Sequence, residues 1–118
     1  MNTLTQLDST FAALADPTRR AILARLASGE ATVMELVKPF AMTQPAVSRH
    51  LKVLEQAGLI SRRRDAQRRP CRVEPKAITA ATVWLEGFRR ALESNFQRLD
   101  ALLDEMKANE KKSSRRKR

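Results

Sequence analysis

The sequence predicts a mainly α-helical protein with one small β-hairpin, in the element order α-α-α-α-β-β-α. Apolar residues recur every three or four positions over most of the 118 residues, as on one side of an amphipathic helix. Two short runs, residues 59–64 and 69–74, flank a four-residue turn and are typical of a hairpin. A chain of this length buries enough surface to fold as one domain without crosslinks.

The first two helices are predicted from the spacing of apolar residues and from a residue pair that is typical of a helix start. Four apolar residues spaced by three or four positions predict the first helix: Leu4, Leu7, Phe11 and Leu14. Asp16 before Pro17 is typical of a helix start, because aspartate caps free amides and proline tolerates the first turn. The second helix is predicted over about 17–28, with Gly29 ending it.

A short third helix is predicted over residues 32–38. Thr32 and Glu35 have the spacing of a capping box, in which a hydroxyl and a carboxylate each accept the other residue's free amide. Pro39 is expected to limit this helix, because proline lacks the amide donor and clashes with the preceding turn.

The fourth helix is predicted over residues 44–57, with Thr43 as its cap and Gly58 after its end. At about 100° per residue, its apolar residues fall on one side: Val47, Leu51 and Leu54. The other side carries Arg49 and Lys52 and almost no acid, whereas a merely solvated helix usually mixes both signs of charge.

The last helix is predicted over about 78–106, after Pro75 closes the hairpin. Its apolar residues step mostly by three and four positions: Leu85, Phe88, Leu92, Phe96, Leu99, Leu103 and Met106. Residues 107–118 lack large apolar side chains and are predicted to be a basic disordered tail beside a domain of residues 1–106.

The positive charge is concentrated in the middle of the chain and in the tail. The net charge is +10; the tail contributes +6, and residues 38–76 hold ten Lys or Arg against three acids, or +7. The remaining residues are therefore net acidic. A basic middle between acidic flanks indicates a polyanionic partner, and nucleic acid is the commonest one. The tail either adds modest, sequence-independent DNA contacts or has no role in binding.

The fourth helix has the residue types that read DNA. One α-helix fits the major groove, and glutamine, serine and arginine hydrogen-bond to base edges. We therefore predict that Gln44, Ser48 and Arg49 read bases, and that Thr43 and Lys52 contact the backbone. The short third helix would brace the fourth, which is the helix-turn-helix arrangement.

The hairpin beside this helix carries an arginine-rich tip. Arginine suits the phosphate backbone and the narrow minor groove, where the negative potential is concentrated. The predicted backbone contacts are Arg63, Arg64, Arg68 and Arg69. Arg62 is left open between this role and packing against the body of the domain.

Three segments resemble the ArsR-type winged helix-turn-helix repressors: ADPTRRAILARLASGEATVMEL, TQPAVSRHLKVLEQAGLI and RRPCRVEP. The resemblance covers about residues 8–106 and implies a symmetric homodimer on a palindromic operator. It also implies that the first and last helices form the dimer interface. The residues that match it here are Leu4, Leu7, Phe11, Leu85, Phe88, Leu92, Phe96, Leu99 and Leu103.

The metal-sensing residues of many such repressors are missing, because the third helix has no cysteine and the last helix no histidine. We therefore expect no metal and no cofactor. There is no catalytic constellation, so an enzyme is not expected. The chain lacks a membrane span and a signal peptide, and is expected to be soluble and cytoplasmic. Two other functions stay open: a sequence-blind architectural DNA-binding protein, and a protein-interaction module using the long last helix.

Overall fold

The computed structural model describes the backbone of residues 3–63, 67 and 69–116 and the side chains of 5–63, 67 and 69–112. The chain divides into two compact units, Met1–Thr82 and Val83–Arg118. The element order confirms the predicted fold class, and the bounds are α1 Thr3–Leu14, α2 Pro17–Ala27, α3 Val33–Phe40, α4 Gln44–Gln56, β1 Ile60–Arg62, β2 Cys71–Val73 and α5 Pro75–Arg116.

The three predicted helix caps are present. The Asp16 carboxylate accepts the backbone amide of Arg19 at 3.0 Å. Thr32 and Glu35 form the capping box, since each side chain accepts the other residue's amide at 3.2 Å. The Thr43 hydroxyl accepts the amide of the third α4 residue at 3.3 Å. These local bonds fix where α2, α3 and α4 begin.

The third helix continues past its predicted end. α3 runs through Pro39 to Phe40, so the expectation that Pro39 limits it is wrong. Phe40 is partly buried against the core, and this packing offsets the backbone bond that proline cannot make. The helix ends at Ala41, which has left-handed backbone angles (φ 51°, ψ 41°). The Met42 amide then donates to the Val37 carbonyl at 3.3 Å, a bond typical of such helix ends.

The hairpin is attached to the helical body by an additional backbone bridge. β1 and β2 are antiparallel, with Ile60 opposite Val73 and Arg62 opposite Cys71. On the other edge of β2, the Cys71 amide donates to the Ala31 carbonyl at 2.8 Å, and the Ala31 amide donates back at 3.2 Å. Cys71 has no exposed surface, and this burial raises the pKa of its thiol.

The core of the first unit receives side chains from all four of the first helices, the hairpin and the start of α5. Its large, fully buried apolar members are Ile22, Leu36, Val47, Leu51, Leu54 and Leu59. Half of these six belong to α4. The orientation of α4 about its own axis is therefore fixed by the core.

In the second unit, α5 carries a row of exposed apolar side chains. Trp84 and Phe88 stack with their ring centroids 5.6 Å apart, and each is about half exposed. The helix reaches Arg116, ten residues beyond its predicted end at about residue 106. The lysine, alanine and glutamate of this segment are strong helix formers, and their propensity continues the helix after the apolar row has ended.

We predict that Ala41→Gly raises the free energy of unfolding by about 0.5–1 kcal/mol. The left-handed backbone costs alanine about 1–2 kcal/mol, and the greater freedom of glycine in the unfolded chain cancels part of the gain. Urea unfolding measures the change. The same substitution at Ala24, exposed inside α2, should instead destabilise by about 1 kcal/mol. A loss of stability at both positions would contradict the prediction.

We also predict an acid-sensitive contribution from Asp16. The bond from the Arg19 amide lowers the pKa of this carboxyl below its unfolded value. Its stabilisation is therefore complete above the unfolded pKa and is lost as the pH falls through the lower, folded pKa. Asp16→Asn keeps a capping side chain but cannot titrate, so its urea midpoint should fall less than that of the wild type between about pH 5 and about pH 2.

Asp16→Ala is the reference for loss of the cap itself. It should unfold more easily than the wild type at neutral pH. Identical pH profiles for the wild type and Asp16→Asn would show that Asp16 contributes nothing to the acid sensitivity.

Candidate nucleic-acid interface

α4 has one fully buried side and one side open to solvent. The buried side consists of three residues without exposed surface: Val47, Leu51 and Leu54. Because they are three or four positions apart, the opposite side points away from the core. Gln44, Arg49 and Lys52 are exposed there, and Ser48 is partly buried at the edge. Of the three predicted base-reading residues, two are therefore exposed and Ser48 offers a smaller surface.

The first turn of α4 presents donors to solvent. The exposed Thr43 hydroxyl accepts the Ala46 amide and can still donate its own proton. Pro45 has no amide hydrogen, and among the described residues the Gln44 amide has no hydrogen-bond partner. This end of the helix also carries its positive partial charge. Together these groups give the start of α4, beside the Gln44 side chain, the donors and the charge that favour an anion.

The predicted hairpin contacts differ in how available they are. Arg69 is exposed and has a positive φ of 47°. Arg63 pairs with Glu30 at 3.4 Å, although its side chain keeps 53% exposure. Arg64 and Arg68 lie outside the described residues. The pairing of Arg63 had no sequence signal, because Glu30 is more than 30 positions away along the chain.

Arg62 packs against the body of the domain. This was one of the two roles left open for it, the other being a contact with the DNA backbone. Its side chain is 17% exposed, and its Nε lies 4.0 Å from a Glu55 carboxylate oxygen. This Nε is buried and has no hydrogen-bond partner among the residues that the structure describes. Arg62, Arg69 and Gln44 also line a cavity of about 570 Å³ between the first turns of α3 and α4 and the hairpin.

Two arginines of α2 act as caps for the preceding helix. Arg19 donates from Nε to the Ala13 carbonyl at 2.8 Å, and Arg20 donates from Nη1 to the Leu14 carbonyl at 2.8 Å. Carbonyls at the end of a helix lack partners within it, so these bonds satisfy the end of α1.

His50 holds α4 to the start of α2. It is partly buried, and its Nδ1 lies 4.0 Å from Asp16 Oδ2. This position supports a structural role for His50. The Asp16 carboxylate, which caps α2, therefore also lies beside α4.

The predicted dimer residues fall into two groups. In α1, Leu7 is only 9% exposed and Phe11 is partly buried, while the Leu4 side chain lies outside the described residues. The α5 residues are all 41–63% exposed: Leu85, Phe88, Leu92, Phe96, Leu99 and Leu103. The α5 row therefore has much more apolar surface open to a partner than α1.

The described residues contain neither a metal-binding cluster nor a membrane-spanning helix. No group of three or more His, Cys, Asp or Glu side chains there is arranged to hold a metal ion. None of the helices in the described part of the chain is long and apolar enough to cross a membrane.

Known proteins share both the sequence and the fold. The model of the family described as "Bacterial regulatory protein, arsR family" matches residues 16–62. The HTH-type transcriptional regulator Rv2034 of Mycobacterium tuberculosis is 41% identical over 86% of this chain and 95% of its own length.

Two solved structures align with most of the chain. The ArsR family transcriptional regulator RHA00566 is 44% identical, covers 76% of this chain and 93% of its own, and superimposes with a TM-score of 0.71. A possible ArsR-family regulator of Mycobacterium bovis, a homodimeric winged helix-turn-helix DNA-binding domain, is 29% identical over 71% of this chain and 80% of its own, with a TM-score of 0.60. The family and these relatives are transcriptional regulators and not enzymes. The chain belongs to the ArsR family of bacterial regulatory proteins.

Proposed function

We propose that this protein is a homodimeric repressor that places two copies of α4 in successive major grooves of a palindromic operator. The outward side of α4 supports this proposal above all other features. Its opposite side is completely buried, so Gln44, Arg49 and Lys52 are held outward on a fixed helix. A rigid helix with exposed amide and guanidinium groups suits base-edge recognition.

The interface residues divide by chemistry. Gln44, Ser48 and Arg49 read base edges, with Arg49 making a bidentate contact to guanine. Thr43 and Lys52 hold the phosphate backbone beside them.

The hairpin arginines Arg63, Arg64, Arg68 and Arg69 contact the backbone next to the groove that α4 occupies. Arg63 must exchange Glu30 for a phosphate, which costs little because exposed ion pairs contribute about 0–1 kcal/mol.

The dimer forms chiefly through α5. Contiguous exposed apolar surface in a regulator usually marks an interface, and α5 presents it along several turns. Leu4, Leu7 and Phe11 of α1 complete the contact. The similar domain from Mycobacterium bovis is a homodimer, which supports the same assembly here. A two-fold dimer requires half-sites about 10 base pairs apart. Repression follows where such a site overlaps a promoter, and a cytoplasmic location fits this role.

Selection of bound duplexes from a random DNA pool tests the proposal directly. The full chain should enrich an inverted repeat with half-site centres about 10 base pairs apart. Enrichment of no sequence, with equal binding to every duplex, would instead identify a sequence-blind architectural protein. Failure to bind duplex DNA in dilute buffer would exclude both functions.

We predict that Arg49→Ala weakens operator binding by about 1–3 kcal/mol and relaxes the preference at one base position in each half-site. The matched variant Lys52→Ala should reduce the affinity for the selected and the scrambled duplex by similar factors, because a phosphate contact carries no sequence information. Fluorescence anisotropy on both duplexes measures the ratio. An unchanged ratio for Arg49→Ala would remove Arg49 from the base-reading set.

We further predict that Leu99→Lys converts the dimer to a monomer and reduces operator affinity. A lysine in the apolar row of α5 would have to lose its water on dimerisation, and this cost prevents the partner helix from packing there. The control is Gln97→Lys, an exposed position on the opposite side of α5. Sedimentation velocity at micromolar concentration should give a monomer for Leu99→Lys and a dimer for Gln97→Lys. A dimer in both variants would exclude Leu99 from the interface.

A further inference from the structure

The character of α5 changes between Met106 and Lys107. Residues 83–106 carry the apolar row together with five acids and three arginines. From Lys107 the helix continues to Arg116 without a large apolar residue and with a single acid, Glu110. The last part of α5 is therefore a basic helical segment without the surface that a helix partner would bury.

The lysines of this segment are available for new contacts. Lys107, Lys111 and Lys112 are exposed, and no carboxylate of the described residues lies within salt-bridge distance of them. Lys107 and Lys111 are four positions apart and lie along one side of the helix, with Lys112 about 100° further round. Arg89, in contrast, pairs with Glu86 at 3.0 Å and also contacts Glu93. In residues 83–106 the acids outnumber the arginines and Arg89 is paired, whereas the three lysines beyond Met106 have no ion pair with a described carboxylate.

We propose that Lys107, Lys111 and Lys112 form a second, sequence-independent contact with the phosphate backbone of the DNA that the dimer occupies. This inference rests on the proposed function and adds a contact that the α4 and hairpin surface does not need. Ammonium groups on successive turns of a helix suit a duplex, which carries one negative charge per about 1.7 Å of its axis.

Other polyanions fit this segment less well. Helices that lie on membranes combine basic residues with large apolar ones, and residues 107–116 have none. Single-stranded nucleic acid is held largely by aromatic stacking, and this segment has no aromatic side chain. Duplex DNA is therefore the occupant that the chemistry favours.

The full chain carrying Lys107→Gln, Lys111→Gln and Lys112→Gln tests this contact. Glutamine matches lysine in helix propensity, so the helix is retained. Affinities for the selected operator and a random duplex are measured from 50 to 200 mM salt. A dimer loses up to six phosphate contacts at about 0.9 in log–log slope each, so we expect the slope to become shallower by about 2–4 for both duplexes. Their affinity ratio should not change.

The control has the same charge change in the mixed part of α5: Arg89→Gln, Arg90→Gln and Arg98→Gln. The log–log salt slope of this control should differ from that of the wild type by no more than about 0.9, the contribution of one phosphate contact. Glu110→Gln should steepen the slope slightly. Equal salt slopes for the wild type and the lysine variant would overturn the proposal. The proposal would also be overturned if the slope became shallower by the same amount in the lysine variant and in the control.

The two proposals fail in distinguishable ways. If the wild type binds neither duplex, the proposed function fails. If the wild type binds the operator and the lysine variant has the same slope, only the second contact is refuted. If the lysine variant loses affinity for single-stranded RNA but not for duplex DNA, the segment binds RNA and the proposal is wrong.

Discussion

The burial of three α4 side chains determines what the rest of this helix can do. Val47, Leu51 and Leu54 have no exposed surface, and each contributes about 1.5–3 kcal/mol by leaving water. Rotation of α4 by even one residue position would move charge towards the core and apolar surface into solvent. Arg49 and Lys52 therefore keep one orientation before any ligand arrives, and recognition needs little reorganisation of this helix.

The predictable parts of the fold were those with signals close together in the chain. The caps at Asp16, Thr32 and Thr43 are formed by groups three residues apart, so their chemistry is readable from the sequence. The continuation of α3 through Pro39 was not predictable in this way. It depends on packing of Phe40 against residues from other elements, which a local rule about proline ignores.

In the candidate site, too, the features set within one helix were predictable and the contacts between distant residues were not. The periodicity of α4 correctly separated its buried and exposed sides, because this pattern is a property of one helix. The partners of the hairpin arginines were not predictable, since Arg63 pairs with Glu30 and Arg62 lies near Glu55 only after folding. Counting charges along residues 38–76 therefore overstates the positive charge that the hairpin offers to a ligand.

The buried position of Cys71 has a practical consequence for following this protein in solution. Its sulfur is enclosed beneath the hairpin, and a thiol with a raised pKa holds little of the reactive thiolate at neutral pH. A maleimide dye would consequently react with a cysteine introduced at an exposed position and leave the native one unmodified. Single-site fluorescent reporters can therefore be attached without first removing the natural thiol.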